Sequence, residues 1–315
     1  MSISKDFKKW LENQFGERVR FDEPMSKHTS FRIGGPADAL VFPETRQELV
    51  FLIKKATEAD VSWVVVGGGT NLLIKDHGIR GVVITTKNQK PVIEIETTNE
   101  EVTHIRATAG TKLSALCRFA FDNCLEGMSF ALGIPGTLGG AIIMNAGTAG
   151  GAMQDVLFAV EYVDRNGSFS KAQKEKFIYS YRSFAIKGGS DFRSVNAPII
   201  VEAIIQLRPG NPEIIKKEAK LILDRRAETQ PKGLGSAGCF FKNPSPQESA
   251  GKLIDLAGLK GYRIGGAVVS EKHANYIVNS GNATAEDVLT LSQVIQEKVF
   301  QMFQINLEPE VRIVE

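Results

Sequence analysis

The sequence predicts an α+β protein made of two small α/β lobes followed by a separate α+β lobe. Three observations predict it. At 315 residues the chain is too long for one small core, so two or three lobes are expected. Through residue 208, helix-period apolar stripes alternate with short apolar runs of strand length. The last third orders helix, strand, strand and helix, which suits an α+β unit. The lobes are expected at residues 1–88, 89–208 and 209–307, with residues 308–315 a strand able to return to the first lobe.

Residues 1–20 have the pattern of an amphipathic helix, with Phe7, Trp10, Leu11 and Phe15 on one face. HTSFRIGGPADALVFP reads as a loop and a short strand. Thr45 opens a helix as a capping box with Glu48, and Leu49, Leu52, Ile53 and Ala56 supply its apolar stripe. Strands at 63–66 and 82–85 complete the first lobe. The second lobe holds strands near 92–96, 102–108, 157–163 and 199–207. A helix over 113–124 lies among them, with Cys117 and Cys124 in its apolar stripe as small hydrophobes. A polar helix over 212–228 follows. The third lobe is read as a helix (246–257, closed by Gly258), strands at 263–269 and 275–279, and a helix at 284–303 capped by Thr284. LEPEVRIVE is a final strand.

The composition excludes several functional classes. With 43% hydrophobic and 23% charged residues, the chain is neither disordered nor membrane-embedded. A net charge of +2 without a Lys/Arg run argues against nucleic acid as the main partner, while a local basic pocket for a phosphate stays compatible. Three cysteines build no disulfide framework and point to a reducing compartment. The charged N-terminus, MSISKDFKKWLENQFGERV, has no apolar core of a secretory signal, so a cytoplasmic protein is expected. His28, His77, His104 and His273 are too scattered for a metal site.

One stretch is unusual. Residues 127–154 carry no charge, a length that could cross a bilayer, yet they include eight glycines and Pro135. A lipid-facing helix with so many breakers would leave backbone groups unpaired, so membrane insertion is not expected. Backbone packed against something bulky inside the protein is the better reading, and it first points to a cofactor. VVVGGGTNLL, a strand breaking into Gly67-Gly68-Gly69, is by itself either an anion-cradling loop or a tight turn. It fails the dinucleotide spacing, because Leu72 stands where the third glycine belongs, and it lacks the lysine of a P-loop. GIPGTLGGAIIMNAGTAGG (133–151) adds a Pro-Gly turn, paired glycines and a second turn around Asn145. Backbone this bare suits a flat, partly apolar ligand with a pyrophosphate.

HTSFRIGGPAD, VVVGGGTNLL and GIPGTLGGAIIMNAG together resemble the successive FAD-contacting segments of the vanillyl-alcohol-oxidase (PCMH-type) flavin fold. Within it, residues 20–313 resemble the UDP-N-acetylenolpyruvoylglucosamine reductases, and the short segment between Arg182 and Gly235 resembles the compact type II subtype. The resemblance implies FAD held non-covalently between the first two lobes. It carries FAD contacts onto Arg32, Gly67, Gly68, Gly69, Thr70, Asn71, Leu72, Gly133, Pro135, Gly136, Thr137, Gly139, Gly140, Asn145 and Gly147. His28 is then a solvated or hydrogen-bonded side chain, not a flavin attachment point.

The same resemblance implies NADPH-dependent reduction of UDP-N-acetylglucosamine enolpyruvate to UDP-N-acetylmuramate in peptidoglycan precursor synthesis, by a monomer. Such a reaction needs a hydride, a proton and stabilisation of charge on the substrate carboxylate. GSAGCFFKNP resembles the family's diagnostic motif and makes Cys239 the proton donor, at a position where serine is commoner. A thiol of pKa ~8.5 is a stronger acid than an alcohol and is still mostly protonated at neutral pH. Arg182, in YSYRSFAIK, matches the arginine that binds the carboxylate, and Glu310, in LEPEVRIVE, matches the glutamate near the reacting centre; the family pattern selects it over Glu308. Arg225, Arg226, Lys242 and Asn243 are candidate substrate handles, with Tyr181 placed against flavin or substrate. No Rossmann pattern is visible, so the nicotinamide is expected to dock transiently in the substrate cleft. Another flavin oxidase on the same fold would lack the GSAGCFFKNP and LEPEV pair. A flavin- or nucleotide-sugar-binding module without catalysis is the remaining alternative.

Overall fold

The computed structural model describes residues 3–87, 90–148, 150–189 and 191–315, with seven α-helices among them. They form two compact units, each assembled from separate stretches of chain. The first comprises Met1–Phe21, Ala39–Gly68 and Gly81–Arg225, and the second comprises Asp22–Asp38, Gly69–Arg80 and Arg226–Glu315. The three consecutive lobes are a different cut of the chain. Their boundary at 88/89 lies outside the described residues, as do residues 1–2 of the expected first helix and Ala149 of the glycine-rich segment.

In the first unit, α1 (Lys5–Phe15) begins where the Ser4 hydroxyl accepts a hydrogen bond from the Phe7 amide (3.2 Å). It ends earlier than the pattern over 1–20, because Gly16 at φ 53 turns the chain into a strand beginning at Val19. Thr45 caps α2 (Arg46–Glu58) by accepting from the Glu48 amide (3.1 Å). The reciprocal half of the expected box is replaced: the Glu48 carboxylate accepts from the Glu44 amide (2.8 Å) and binds the Arg18 guanidinium. The buried faces of both helices share one cluster with Trp63, Val82 and Ile84 of a parallel strand pair.

Six antiparallel strands build the unit's larger sheet: five in the order Phe169–Gln173, Leu157–Val163, Ile199–Pro209, Thr103–Thr108 and Ile93–Thr98, and Leu125–Glu126, which pairs with the end of Ile199–Pro209. Alternate residues such as Ile105, Ala107, Ala203 and Ile205 are buried in a cluster with α3 (Leu113–Asp122) and α4 (Leu138–Ile143). Because α3 stops at Asp122, Cys124 leaves the expected stripe and is exposed at φ 54, while Cys117 is buried. Glu161 and Glu202 stand directly opposite each other, an arrangement that would repel. Arg46 and Arg106 offset it, at 3.0 Å from Glu161 and Glu202 respectively. The unit's chain ends within α5 (Pro212–Thr229), whose buried residue is Ile215.

The second unit's sheet is antiparallel, in the order Gly235–Cys239, Tyr276–Asn279, Ala267–Val269 and Arg263–Ile264. The run expected as one strand over 263–269 is a hairpin, with Ile264 paired to Ala267 across Gly265-Gly266. Residues of α6 (Ala250–Leu256) and α7 (Ala285–Phe303) share the unit's core cluster. Thr284 and Asp287 close a capping box at the start of α7, and the Asp76 carboxylate accepts from the Ala285 and Glu286 amides (2.9 and 3.1 Å). LEPEVRIVE is not one strand. Arg312–Val314 pairs in parallel with Leu72–Ile74, while Pro309, which has no amide hydrogen, holds a single bridge to Phe241. No described helix is long and apolar enough to cross a membrane.

Candidate active site

The first unit brings the two glycine-rich segments together. Gly133 and Gly136 carry positive φ (72 and 125) on either side of Pro135, and Thr137 then takes the N-cap position of α4, a helix between the two expected turns. Gly139 and Gly140 lie inside α4, and Gly147 just beyond it. Gly67 approaches Thr137 so closely that a Cβ at residue 67 would come within 2.4 Å of Thr137 Oγ1. Only a residue without a side chain allows this contact. Gly68 closes that stretch of the unit. The segments therefore present bare backbone and an uncharged surface.

Asn145, buried and at φ 39, ties this region to the next candidate residue. Its Nδ2 donates to Gln154 Oε1 (2.9 Å) and to the Ser180 carbonyl (3.3 Å), and its Oδ1 accepts from the Gln154 amide (3.0 Å). Ser180 ends the strand Phe177–Ser180, which pairs with Ser183–Ile186 in a hairpin that the sequence reading missed. Ser180 stands opposite Ser183, so Tyr181 and Arg182 form the whole turn. Arg182 takes the left-handed conformation (φ 59), a state that disfavours an L-residue by about 1 kcal/mol. Its guanidinium lies over the half-exposed Tyr181 ring, 4.9 Å from the centroid. Arg225 lies on α5.

The second unit holds the remaining candidates. The Ser30 amide donates to the Gly69 carbonyl (2.9 Å), and the Ser30 hydroxyl donates to the Ser236 carbonyl (2.6 Å). His28 Nε2 lies 2.9 Å from Glu23 Oε1, which gives it a hydrogen-bonded role. Arg32 is exposed at φ 57, beside the Phe31 carbonyl that accepts from Asn279 Nδ2 (3.1 Å). Thr70 and Asn71 lead into the strand at Leu72. Asn71 Nδ2 donates to the Glu310 carbonyl (3.1 Å), and the Asn71 carbonyl accepts from the Arg312 amide (3.1 Å).

Backbone bonds join the segment of Glu310 to the one that follows Cys239. The Glu310 amide donates to the carbonyl of Phe240 (2.8 Å), the residue after Cys239. Cys239 owes its direction to a β-bulge. Ser236 pairs with Val278 and Cys239 with Tyr276, three steps on one strand against two on the other. Gly238 (φ 82) is the bulge residue that permits this. Tyr276 was not named by the sequence reading, whereas Arg226 was, beside Arg225, as a candidate substrate handle. Burial pushes the Tyr276 phenol above its ordinary pKa; the facing Cys239 and Glu310 add to the shift, and Arg226 opposes it. Arg226 is indistinguishable from Arg225 in the sequence pattern, and the tyrosine's place depends on strand register. Lys242 Nζ is 3.1 Å from Glu308, and Asn243 Oδ1 accepts from the Ala250 amide (3.1 Å). No described group of His, Cys, Asp and Glu could hold a metal ion.

Known proteins match both units. The UDP-N-acetylenolpyruvoylglucosamine reductase, C-terminal domain family matches residues 230–314, and the FAD binding domain family matches residues 37–173. A UDP-N-acetylenolpyruvoylglucosamine reductase of Desulfosudis oleivorans is 48% identical over 312 residues, covering 99% of each chain. Another, of Caldanaerobacter subterraneus subsp. tengcongensis, is 45% identical over 297 residues, covering 94% of each. The crystal structure of a UDP-N-acetylenolpyruvylglucosamine reductase from Thermus caldophilus is 36% identical, with a TM-score of 0.76 over 94% of this chain and 100% of that one. The fold is therefore the α+β, vanillyl-alcohol-oxidase type of FAD-binding fold, and FAD is the cofactor. Full-length identity and both matched domains place the chain in the UDP-N-acetylenolpyruvoylglucosamine reductase family of FAD-dependent oxidoreductases.

Proposed function

We propose that the protein reduces UDP-N-acetylglucosamine enolpyruvate to UDP-N-acetylmuramate, using NADPH, as a cytoplasmic monomer in peptidoglycan precursor synthesis. In this reading residues 1–88 and 89–208 are the flavin-binding lobes and 209–307 the substrate lobe. FAD, when bound, would supply the hydride chemistry that links the nicotinamide to the enol ether. The residues present fit such a group. Gly67 packs its bare backbone closely on Thr137, and no charged side chain interrupts residues 127–154. Arg32, Gly67, Gly68, Thr70, Asn71, Thr137, Gly139 and Gly140 would hold it.

The remaining steps belong to side chains. Arg182 binds the substrate carboxylate with two parallel N–H donors and stabilises the charge that builds there. Cys239 gives its proton to the substrate carbon: the S–H bond breaks as the C–H bond forms, and solvent later reprotonates sulfur. Glu310 beside a substrate carboxylate is useful as a protonated or hydrogen-bonded acid. Tyr181, Arg225, Lys242 and Asn243 orient the nucleotide sugar, and Lys242 exchanges Glu308 for a phosphate when substrate binds.

The observation that carries this reading is the 2.8 Å bond from the Glu310 amide to Phe240, which brings the ends of two motifs together around Cys239. Anaerobic spectroscopy tests it. NADPH should bleach the bound flavin, and the enolpyruvyl sugar nucleotide should restore its colour. A flavin that NADPH does not bleach overturns the reductant, and one that the sugar does not reoxidise overturns the substrate.

A further inference from the structure

We propose that Tyr276 is a positioning residue for Cys239, donating a hydrogen bond to the sulfur when it becomes a thiolate. The inference rests on Cys239 being the proton donor. It begins with the bulge. Counted back from the Ser236–Val278 pair, an unbroken antiparallel ladder would set Gly238 opposite Tyr276. The extra residue sets Cys239 there instead. Directly opposed residues in an antiparallel pair project from the same face with Cβ atoms about 5 Å apart, so thiol and phenol share one surface. A Cβ built on Gly238 would meet nothing within 4 Å, so glycine is required there for its φ of 82 and not for space. The bulge thus appoints the thiol, in place of a residue with no side chain, as the tyrosine's neighbour.

Tyr276 is held rigidly enough for that role. Its amide donates to the His273 carbonyl (2.9 Å), and its carbonyl accepts from the Ser270 amide (2.8 Å). Its ring is 7% exposed and packs edge-on against His273, with centroids 4.9 Å apart. The groups whose charge bears on the phenol are Cys239 on the opposite strand, Arg226 near the end of α5 and Glu310 in the terminal segment, and His273 of its own turn packs on the ring. Burial lowers the His273 pKa, which favours a neutral imidazole, and His273 Nδ1 accepts from the Asn275 amide (3.3 Å). Burial and the facing acids keep the phenol a neutral donor in the working range of pH.

A neutral O–H turned toward the sulfur would stabilise the anion more than the thiol, because the hydrogen bond to a charged acceptor is the stronger one. As the S–H bond breaks, its electron pair stays on sulfur and the proton goes to the substrate carbon. The tyrosine O–H remains intact throughout.

The test compares Tyr276 with Tyr276→Phe in a Cys124→Ser background. It follows the pH dependence of Cys239 alkylation by iodoacetamide, with the site assigned by mass spectrometry. Cys117 stays silent, since burial pushes its thiol up to about 12. In Tyr276→Phe the alkylation midpoint should rise by about one pH unit, a tenfold loss of thiolate at a given pH. Reoxidation by the sugar nucleotide should slow by about tenfold, with reduction by NADPH unchanged. Tyr276→Met, a second route to removing the hydroxyl, should give the same shift. An unchanged alkylation profile in both variants overturns the inference. Cys239→Ala reducing the sugar at the unaltered rate instead overturns the donor reading beneath it, a separate result from the alkylation profile.

Discussion

At the turn of the Phe177–Ser180/Ser183–Ile186 hairpin the left-handed backbone falls on the proposed carboxylate-binding residue itself, Arg182 at φ 59. At the bulge ahead of Cys239 it falls on a neighbour, Gly238 at φ 82. Both devices aim one side chain, but they distribute conformational strain differently. The bulge lets glycine take the unusual φ and leaves the cysteine unstrained. The hairpin has no spare residue, since Tyr181 and Arg182 are the whole turn, so the arginine bears the strain itself. A strained side chain at a turn that glycine would relax is consistent with the role proposed for Arg182.

Four substitutions or titrations sharpen that contrast. Arg182→Ala should lower turnover with the enolpyruvyl sugar by ~10² to 10³, with flavin still bound, as steady-state kinetics and flavin absorbance would report. Loss of flavin would put Arg182 in the cofactor site. Gly238→Ala should destabilise the protein by about 1 kcal/mol or more in denaturant melts and also slow the sugar step, because the bulge can no longer direct the thiol. Arg182→Gly should behave oppositely: as inactive as the alanine variant, yet more stable than Arg182→Ala by about 1 kcal/mol. Equal melting curves for Arg182→Gly and Arg182→Ala would remove the strain argument.

The smallest effect is a pH dependence that both units share. Burial raises the pKa values of Tyr179 in the first unit and Tyr276 in the second. The folded chain therefore keeps protons that the unfolded chain releases above the ordinary tyrosine value of about 10. Their stabilising contribution is complete below that pH and is lost as pH rises through the folded values. Denaturation midpoints should fall above pH ~10, and Tyr179→Phe should flatten the decline.

Local chemistry was legible from the sequence wherever a single residue type announces it. Thr284 with Asp287 marks the start of α7, and the glycine clusters at 67–69 and 133–147 mark where bare backbone is needed. Other features depend on partners far away in the chain. The hairpin bearing Arg182 was missed because its turn is Tyr-Arg, without the glycine, asparagine or aspartate that usually signals such a turn. The signal for the second hairpin, Gly265-Gly266, is present between apolar runs and could have divided 263–269. Glycine-rich α4 contradicts helix propensity and is held by tertiary bonds: the Leu138 and Gly139 amides donate to Thr111 and Ala109 carbonyls (2.8 and 2.9 Å). Cys239 and Glu310 can be named from their motifs. That Tyr276 and Arg226 face them depends on register and a bulge, which no periodicity in the sequence records.

The central claim concerns one proton, and the two half-reactions of Cys239→Ala isolate it. Stopped-flow absorbance should show flavin reduction by NADPH at the wild-type rate. Reoxidation by the enolpyruvyl sugar should be slower by ~10² to 10⁴, while Cys239→Ser keeps measurable turnover. Reoxidation of the alanine variant at the wild-type rate would contradict the account, because the carbon would then be protonated from somewhere else.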